Sequence, residues 1–284
     1  MPTLPSVSRR SFVASAAAAL PVLGALNSFA ARKPIPVGLE LYSVRDDLKS
    51  NFSGTLGQVA KMGYQCVEFY APYYDWTPAY AKQVRSQINS LGVRCYSTHN
   101  SLASFSPEGI EKAIELNKIL GTRYIVLAHP GKVNGIDGWK QIAETLNKAN
   151  QTMARSGLHA GYHNHDLEWR PVDGQKPIEI LASNTDKSIM LQLDVGTCVA
   201  TGNDPVAWID RNPGRIRSLH LKDWSPEQSY RVLFGEGVAP WKKIFAAAES
   251  TGGVEYYLIE QEGSRYSEME TAKRCLTNYK RLIS

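Results

Sequence analysis

The stretch SIMLQLDVG, residues 188 to 196, is a short run of apolar and β-forming side chains that contains the polar residues Gln192 and Asp194. A run of this length is typical of a buried strand when turn-forming residues bound it. Seven similar runs occur along the chain: IPVGLELYSV (35–44), CVEFYAP (66–72), RCYSTHNSL (94–102), YIVLAHPG (124–131), HAGYHNHD (159–166), IRSLHLKDW (216–224) and YYLIEQE (256–262). The sequence therefore predicts eight strands.

Helical segments are expected between these runs. Three dipeptides pair a capping residue with a proline suited to the first helical position: Thr77-Pro78, Ser106-Pro107 and Asp204-Pro205. Glycines at positions 63, 92, 121, 157 and 252 fall where helices should end. A last helix is expected from about Ser267.

Strand and helix thus alternate eight times, which predicts an α/β fold, a single (β/α)8 TIM barrel over residues 31–284. A doubly wound open sheet is the alternative, but no G-x-G-x-x-G motif follows the first strand. No linker-like segment divides the chain after residue 31, so one domain is expected.

The N-terminus has the pattern of an export signal. The paired Arg9 and Arg10 precede an apolar run that ends in small residues at Ser28 and Ala30. This predicts a twin-arginine-type signal peptide at residues 1–30, recognition by the twin-arginine export machinery, and a periplasmic or otherwise exported protein. The run is short for a membrane span, so stable membrane insertion is not expected, although a retained anchor is the alternative.

The positive net charge does not indicate a nucleic-acid partner. The formal charge is +5, and Arg9 and Arg10 belong to the predicted signal. Their removal leaves 30 of the 32 basic residues against 27 acidic ones, without a concentrated basic patch.

Most histidines and several charged residues lie near the predicted strand ends, where TIM barrels place their chemistry. Side chains two positions apart share one face of a strand. His163 pairs with His165 in this way, and His220 pairs with Lys222. The apolar residues between such pairs suit the outer face, so the polar side chains should point into the barrel, where they need partners or a cation.

Five segments in order, GYHNHDLEW, QLDVGTCVATGNDPVAWI, GRIRSLHLKDW, GEGVAPW and YYLIEQE, resemble the sugar phosphate isomerase/epimerase family of xylose isomerase-like barrels. The resemblance implies one divalent metal held by a Glu, Asp, His, Glu set on strands five to eight. Asp194, His220 and Glu260 match the last three ligands, whereas His163 stands where the family has a glutamate. This departure argues against a symmetric epimerisation by two glutamates.

Two nitrogen and two carboxylate ligands suit Mn²⁺, which is favoured here, or Co²⁺, Fe²⁺ or Zn²⁺, better than Mg²⁺ or Ca²⁺. The expected chemistry is removal of a proton next to a sugar carbonyl through an enediolate. His165 or Glu68 would act as the base, Lys222 would stabilise the oxyanion, and Glu260 is both ligand and catalytic residue.

The expected substrate is a small carbohydrate, and the oligomeric state is left open. Five residues at strand ends or in the loops that follow are candidates for substrate binding: Trp76, His99, His129, Trp169 and Trp224. The principal functional prediction is a metal-dependent isomerase or epimerase of a sugar or keto-sugar. The alternatives are a lyase or hydrolase-like enzyme acting by elimination on 3-keto-glycosides, and a metal-dependent carbohydrate-binding protein without catalysis.

Overall fold

Eight parallel strands close into one barrel in the computed structural model, which describes residues 1–3 and 34–284. Each strand pairs with its neighbours in sequence, and β1 pairs with β8. The strands are β1 Val37–Glu40, β2 Cys66–Phe69, β3 Arg94–Ser101, β4 Tyr124–His129, β5 His159–His163, β6 Met190–Asp194, β7 Ser218–Leu221 and β8 Tyr256–Ile259. The predicted (β/α)8 barrel is confirmed.

Helices follow each strand and cover the outside of the barrel. They are α1 Arg45–Ser50, α2 Phe52–Met62, α3 Pro78–Ser90, α4 Ile110–Leu120, α5 Gly135–Ala154, α6 Pro177–Asn184, α7 Val195–Ala200, α8 Pro205–Arg211, α9 Trp241–Ala247 and α10 Glu268–Ile283. Two of the eight units, those after β1 and β6, contain two helices each. Apolar side chains between strands and helices form the main core.

Most predicted helix boundaries are confirmed. Thr77 caps α3 through a hydrogen bond from the backbone N–H of Tyr80 at 3.2 Å, and Asp204 accepts from the N–H groups of Val206 and Ala207 at the start of α8. Ser267 caps α10 as expected.

Two boundaries differ from the expectation. Ser106-Pro107 does not start α4, because Ser106 accepts the N–H of Gly109 on its side chain and the helix begins only at Ile110. The segment after α9 continues as a π-helical turn, and Gly253, with φ of 80°, provides the left-handed cap that was expected at Gly252. Such a cap favours glycine because a Cβ atom makes positive φ unfavourable.

The inside of the barrel is divided into an apolar part and a polar part. Tyr124, Val126, Met190, Tyr256 and Leu258 are buried in one cluster with Cys66, and Tyr96 packs against it. These side chains fill the barrel toward the N-terminal ends of the strands. The polar inward residues lie beyond them, at the C-terminal ends of the strands.

The barrel forms a compact unit over Ile35–Ser284. The predicted signal peptide, apart from its first three residues, lies outside the described residues, and it stays a prediction. Within residues 1–3 and 34–284, none of the helices combines the length and the apolar character needed to cross a membrane.

Candidate metal centre

Inward side chains from neighbouring strands meet at the C-terminal end of the barrel. His163 on β5 is in register with Gln192 on β6, and Asp194 on β6 is in register with His220 on β7. Glu260 follows β8 directly. All five residues are buried, so the predicted alternation brings the polar side chains of these strands together.

A chain of two carboxylates and one histidine crosses the barrel, formed by Glu68, His220 and Glu260. His220 Nε2 lies 2.8 Å from Glu68 Oε2, and its Nδ1 lies 2.8 Å from Glu260 Oε2. Burial alone would lower the pKa of His220, but the charge of Glu260 and the hydrogen bonds to both carboxylates raise it to about 10. His220 is therefore an imidazolium that donates to both carboxylates.

His163, Asp194 and Glu260 form the group best suited to hold a metal ion, called here the ligand group. One ligand atom from each lies within 4.8 Å of the others. The Oδ2 atom of Asp194 is buried and lacks a hydrogen-bond partner within residues 34–284. Because a buried carboxylate oxygen without a hydrogen bond is unfavourable, this atom fits a bound cation.

The protonation of His163 also suits a ligand. Its Nδ1 atom lies 3.1 Å from Gln192 Oε1, which leaves Nε2 as the available nitrogen. Burial, together with the positive charge of His220 and the proximity of His99, lowers the pKa of His163 well below its usual value. The neutral imidazole is the form that binds metals.

A second group of possible ligands, His99, His163 and His220, lies nearby. Three nitrogens of His99 and His220 are already engaged: His99 Nε2 lies 2.8 Å from Gln192 Oε1 and 3.0 Å from Glu68 Oε2, and both nitrogens of His220 contact carboxylates. This group is therefore less suited to a cation than the ligand group. For His220 to bind a metal, it would have to give up one carboxylate contact, so its role as a ligand stays a prediction.

Lys222 places a fixed positive charge beside the ligand group. Its Nζ atom hydrogen-bonds to Glu262 and lies 3.7 Å from Asp194 Oδ2 and 5.2 Å from the centre of the Tyr230 ring. Burial would lower the pKa of Lys222, but the charges of Glu260 and Asp194 outweigh it and raise the pKa above its ordinary value. Lys222 therefore stays charged and acts electrostatically.

Glu68 lies beneath this centre rather than at its mouth. The carboxylate is fully buried and accepts hydrogen bonds from Ser97, Gln192 and His220. Burial would raise the pKa of Glu68, but the charges of His99 and His220 and the hydrogen bonds from His220 and Ser97 lower it. These contacts favour a role in holding His220 over the predicted role as a base.

His165 lies next to the ligand group and nearer to solvent. Its half-buried ring meets that of His163 edge to face at 4.9 Å and stacks on His129 at 5.7 Å. Its backbone N–H donates to Glu168 Oε2 at 2.8 Å, and the buried Glu168 also accepts from the hydroxyl of Tyr162 at 2.6 Å. The loop after β5 is thus fixed, with His165 and the exposed His129 at the mouth.

The predicted substrate-binding tryptophans lie in three different environments. Trp169 is 2% exposed and packs edge to face against Trp208 on α8 at 5.2 Å, so the structure places it in the outer core and not in the mouth. Trp76 packs against Phe69 and Phe52, in an aromatic cluster beside a cavity of about 390 Å³. Trp224 follows Lys222 closely and is half-buried. His99 is buried beneath the ligand group, beside Glu68.

Two buried acidic residues near the centre were missed from the sequence. Glu40 ends β1, is fully buried, and has one oxygen, Oε1, without a hydrogen-bond partner in the described part of the chain. Burial, reinforced by the charges of Glu260 and Glu68, raises the pKa of Glu40 well above its ordinary value. Its place two residues after Gly38 in an alternating strand was a signal that could have identified it. Asp223, in the loop after β7, is the second of these two residues.

Asp223 organises the loop after β7. Its buried carboxylate accepts hydrogen bonds from the backbone N–H groups of Trp224, Gly235, Gly237 and Ala239 and from the indole of Trp241 at 2.7 Å. A Cβ atom on Gly237 would lie 2.1 Å from Asp223 Oδ1, so this position requires glycine. These contacts fix the loop that follows Lys222.

Comparisons with known proteins agree with the barrel fold described above. A family model described as xylose isomerase-like TIM barrel matches residues 56–279. The inosose dehydratase of Clostridium beijerinckii is 35% identical over 142 residues, which are 44% of this chain and 47% of that protein. The chain therefore spans about half the length of the curated relatives that it matches.

Solved structures share the whole barrel. A sugar phosphate isomerase/epimerase from Parabacteroides distasonis has a TM-score of 0.73 and 24% identity, and the match covers 89% of this chain and 96% of that one. The IolI protein, solved with a bound zinc atom, has a TM-score of 0.68 and 15% identity, with 88% and 98% covered. At these identities the likeness shows the fold.

Proposed function

Because the chain belongs to the xylose isomerase-like TIM barrel family, we propose that it is a divalent-metal-dependent enzyme that isomerises or epimerises a sugar or keto-sugar. The observation that carries this proposal is the ligand group, His163, Asp194 and Glu260, with the orphaned Oδ2 atom of Asp194 and the charged Lys222 beside it. Mn²⁺ is the favoured ion. The IolI protein, which shares this fold, was solved with a bound zinc atom, and this supports a metal-dependent enzyme.

The side chains in and around the ligand group have different roles in the proposed reaction. A divalent ion held there would act as a Lewis acid on the carbonyl and adjacent hydroxyl oxygens of a sugar. His165, at the mouth, removes the proton from the carbon next to the carbonyl. Lys222 stabilises the negative charge that develops on oxygen. Glu260, whose pKa is lowered by Lys222 and His220 against the effect of burial, is a weak base and serves as a ligand.

Elimination is the second candidate, and two observations favour it. Inosose dehydratases are among the curated relatives that match this chain. His163 stands where a two-glutamate epimerase would have its second carboxylate, so the two faces of the substrate meet different groups. After the same proton is removed, loss of a substituent from the next carbon gives an elimination product, for instance from a 3-keto-glycoside.

Incubation in D₂O with Mn²⁺ and a panel of ketoses, inososes and 3-keto-glycosides tests the proposal. Deuterium next to the carbonyl with an isomerised or epimerised product supports the first candidate, and an unsaturated product or a released aglycone supports elimination. Asp194→Asn is the matched control, because it keeps the shape of the side chain and removes its charge. A protein that binds Mn²⁺ and a sugar without any exchange would instead be a carbohydrate-binding protein.

We also propose export, on the basis of the paired arginines and the apolar run of residues 1–30. The expected mature N-terminus is at or near Ala31. Mass spectrometry of the protein from the periplasm or the medium tests this, with a variant in which Arg9 and Arg10 are lysines as the control. Recovery of the wild type in the cytoplasm with an intact N-terminus would contradict export.

A further inference from the structure

The side chain of Gln192 connects two histidines with one carboxylate below the ligand group. Its Oε1 atom lies 2.8 Å from His99 Nε2 and 3.1 Å from His163 Nδ1. Its Nε2 atom lies 3.1 Å from Glu68 Oε1 and 3.4 Å from Ser218 Oγ. Gln192 is 1% exposed, so these protein contacts fix the amide.

The orientation of this amide is determined by Glu68. A carboxylate only accepts hydrogen bonds, so the group that faces Glu68 Oε1 must be the NH₂ of the amide. The reversed amide would bring two oxygens together in a buried site, which is strongly unfavourable. The amide oxygen must then face the two histidines.

An amide oxygen only accepts hydrogen bonds, which decides where the proton of each imidazole lies. His163 must donate from Nδ1, so Nε2 carries the lone pair. His99 must donate from Nε2, because both neighbours of that nitrogen, Gln192 Oε1 and Glu68 Oε2, are acceptors. Glu68 thus determines the orientation of the Gln192 amide, and this amide determines which nitrogen of His163 carries the proton.

We propose that Gln192 is a positioning residue that fixes the tautomer of His163 and so presents the Nε2 lone pair to the metal ion. The inference rests on the proposed metal centre and adds a residue that does not touch the ion. A neutral histidine in water populates both tautomers, and the Nε2–H form carries a proton where the ion must bind. Partners of this kind change metal affinity by roughly 10- to 100-fold.

Nitrogen NMR of the metal-free protein, labelled with ¹⁵N-histidine and recorded at pH 8, tests the tautomer directly. The wild type should show His163 protonated only on Nδ1. Gln192→Met has a similar length and no hydrogen-bonding amide, so it should show both tautomers and bind Mn²⁺ and Zn²⁺ about 10- to 100-fold more weakly in calorimetry. Gln192→Glu, with a proton on the carboxyl oxygen that faces Glu68, retains an acceptor oxygen toward the histidines and should keep the Nδ1–H form.

Asn150→Leu is the matched control, because Asn150 is also a buried amide that supports β5, through the N–H of Ala160 at 2.9 Å. It should lower stability and leave the tautomer of His163 unchanged. The proposal is overturned if the wild type carries the proton on Nε2, or if Gln192→Met keeps the wild-type tautomer and metal affinity. If the tautomer changes as expected but the wild type binds neither ion, the role of Gln192 stands and the proposed metal centre fails. Should Gln192→Met not fold, the spectra of the wild type and of Gln192→Glu still decide.

Discussion

The Nδ1 atom of His220 lies 2.8 Å from Oε2 of Glu260, so two predicted metal ligands hydrogen-bond to each other. The second nitrogen of His220 contacts Glu68 at the same distance. The proton in this hydrogen bond neutralises the charge of the Glu260 carboxylate. A divalent ion bound by Glu260 would neutralise the same charge. We therefore expect the proton on His220 and the metal ion to compete.

The raised pKa of His220 predicts how the stability of the metal-free protein depends on pH. In the unfolded chain a histidine loses its proton near pH 6.5, whereas in the folded protein His220 keeps it to a pKa of about 10. The folded state binds more protons between these values, so the contribution of His220 to the free energy of unfolding should be fully present below about pH 6.5 and be lost as the pH rises to about 10.

Urea denaturation at several pH values, with EDTA present, measures this dependence. His220→Gln removes the titrating group and should flatten the difference between pH 6.5 and 10. If the free energy of unfolding changed equally with pH in the wild type and the variant, His220 would not be charged in the folded protein.

Substitution of the ligand group should separate metal binding from folding. Asp194→Ala should abolish both stoichiometric metal and activity, because Asp194 is the member with a buried oxygen that lacks a hydrogen bond. The barrel should still fold, because the cluster inside it and the outer core do not involve this side chain. Elemental analysis and circular dichroism measure the two effects. If Asp194→Ala retained its full metal content, Asp194 would not be a ligand in the proposed centre.

His163 and His165 should respond differently to alanine. His163→Ala should weaken Mn²⁺ binding, since a coordinating nitrogen is lost. His165→Ala should keep the metal and lower the rate by about 10²–10⁴-fold, the usual effect of losing a general base. Metal titration together with deuterium exchange next to the carbonyl distinguishes the two. If His165→Ala loses the metal and His163→Ala keeps it, the roles must be exchanged.

We expect loss of Asp223 to destabilise the loop after β7, an effect that an activity assay would underestimate. Asp223→Ala leaves four partly buried backbone N–H groups and the buried indole N–H of Trp241 without this acceptor, and it should lower the free energy of unfolding by about 3 kcal/mol. Gly237→Ala should act on the same loop through its clash with Asp223 Oδ1. Hydrogen exchange of residues 233–241 should rise in both variants and stay unchanged in Asp210→Ala, on the exposed face of α8. Unchanged exchange in Asp223→Ala would contradict this role.

The sequence predicted what depends on strand periodicity. Asp194, His220 and Glu260 were placed correctly on the inside, because each follows the alternation of its strand. Periodicity does not reveal hydrogen-bond partners, which is why the two carboxylate contacts of His220 were not foreseen. It also fails in loops: Trp169 and Trp224 both follow strands, yet Trp169 turns into the outer core. The start of α4 was misplaced because a Ser-Pro pair caps a turn as readily as a helix.

The aromatic and aliphatic side chains that fill the barrel near the N-terminal strand ends have a kinetic consequence. In the proposed enzyme, an ion held by the ligand group would lie below the sugar, so we expect the ion to bind first and the sugar second. A bound polyol such as xylitol should then trap the ion, and EDTA should strip Mn²⁺ more slowly as the polyol concentration rises. The same geometry makes product departure a precondition for metal exchange, so the enzyme would lose its ion mainly between turnovers.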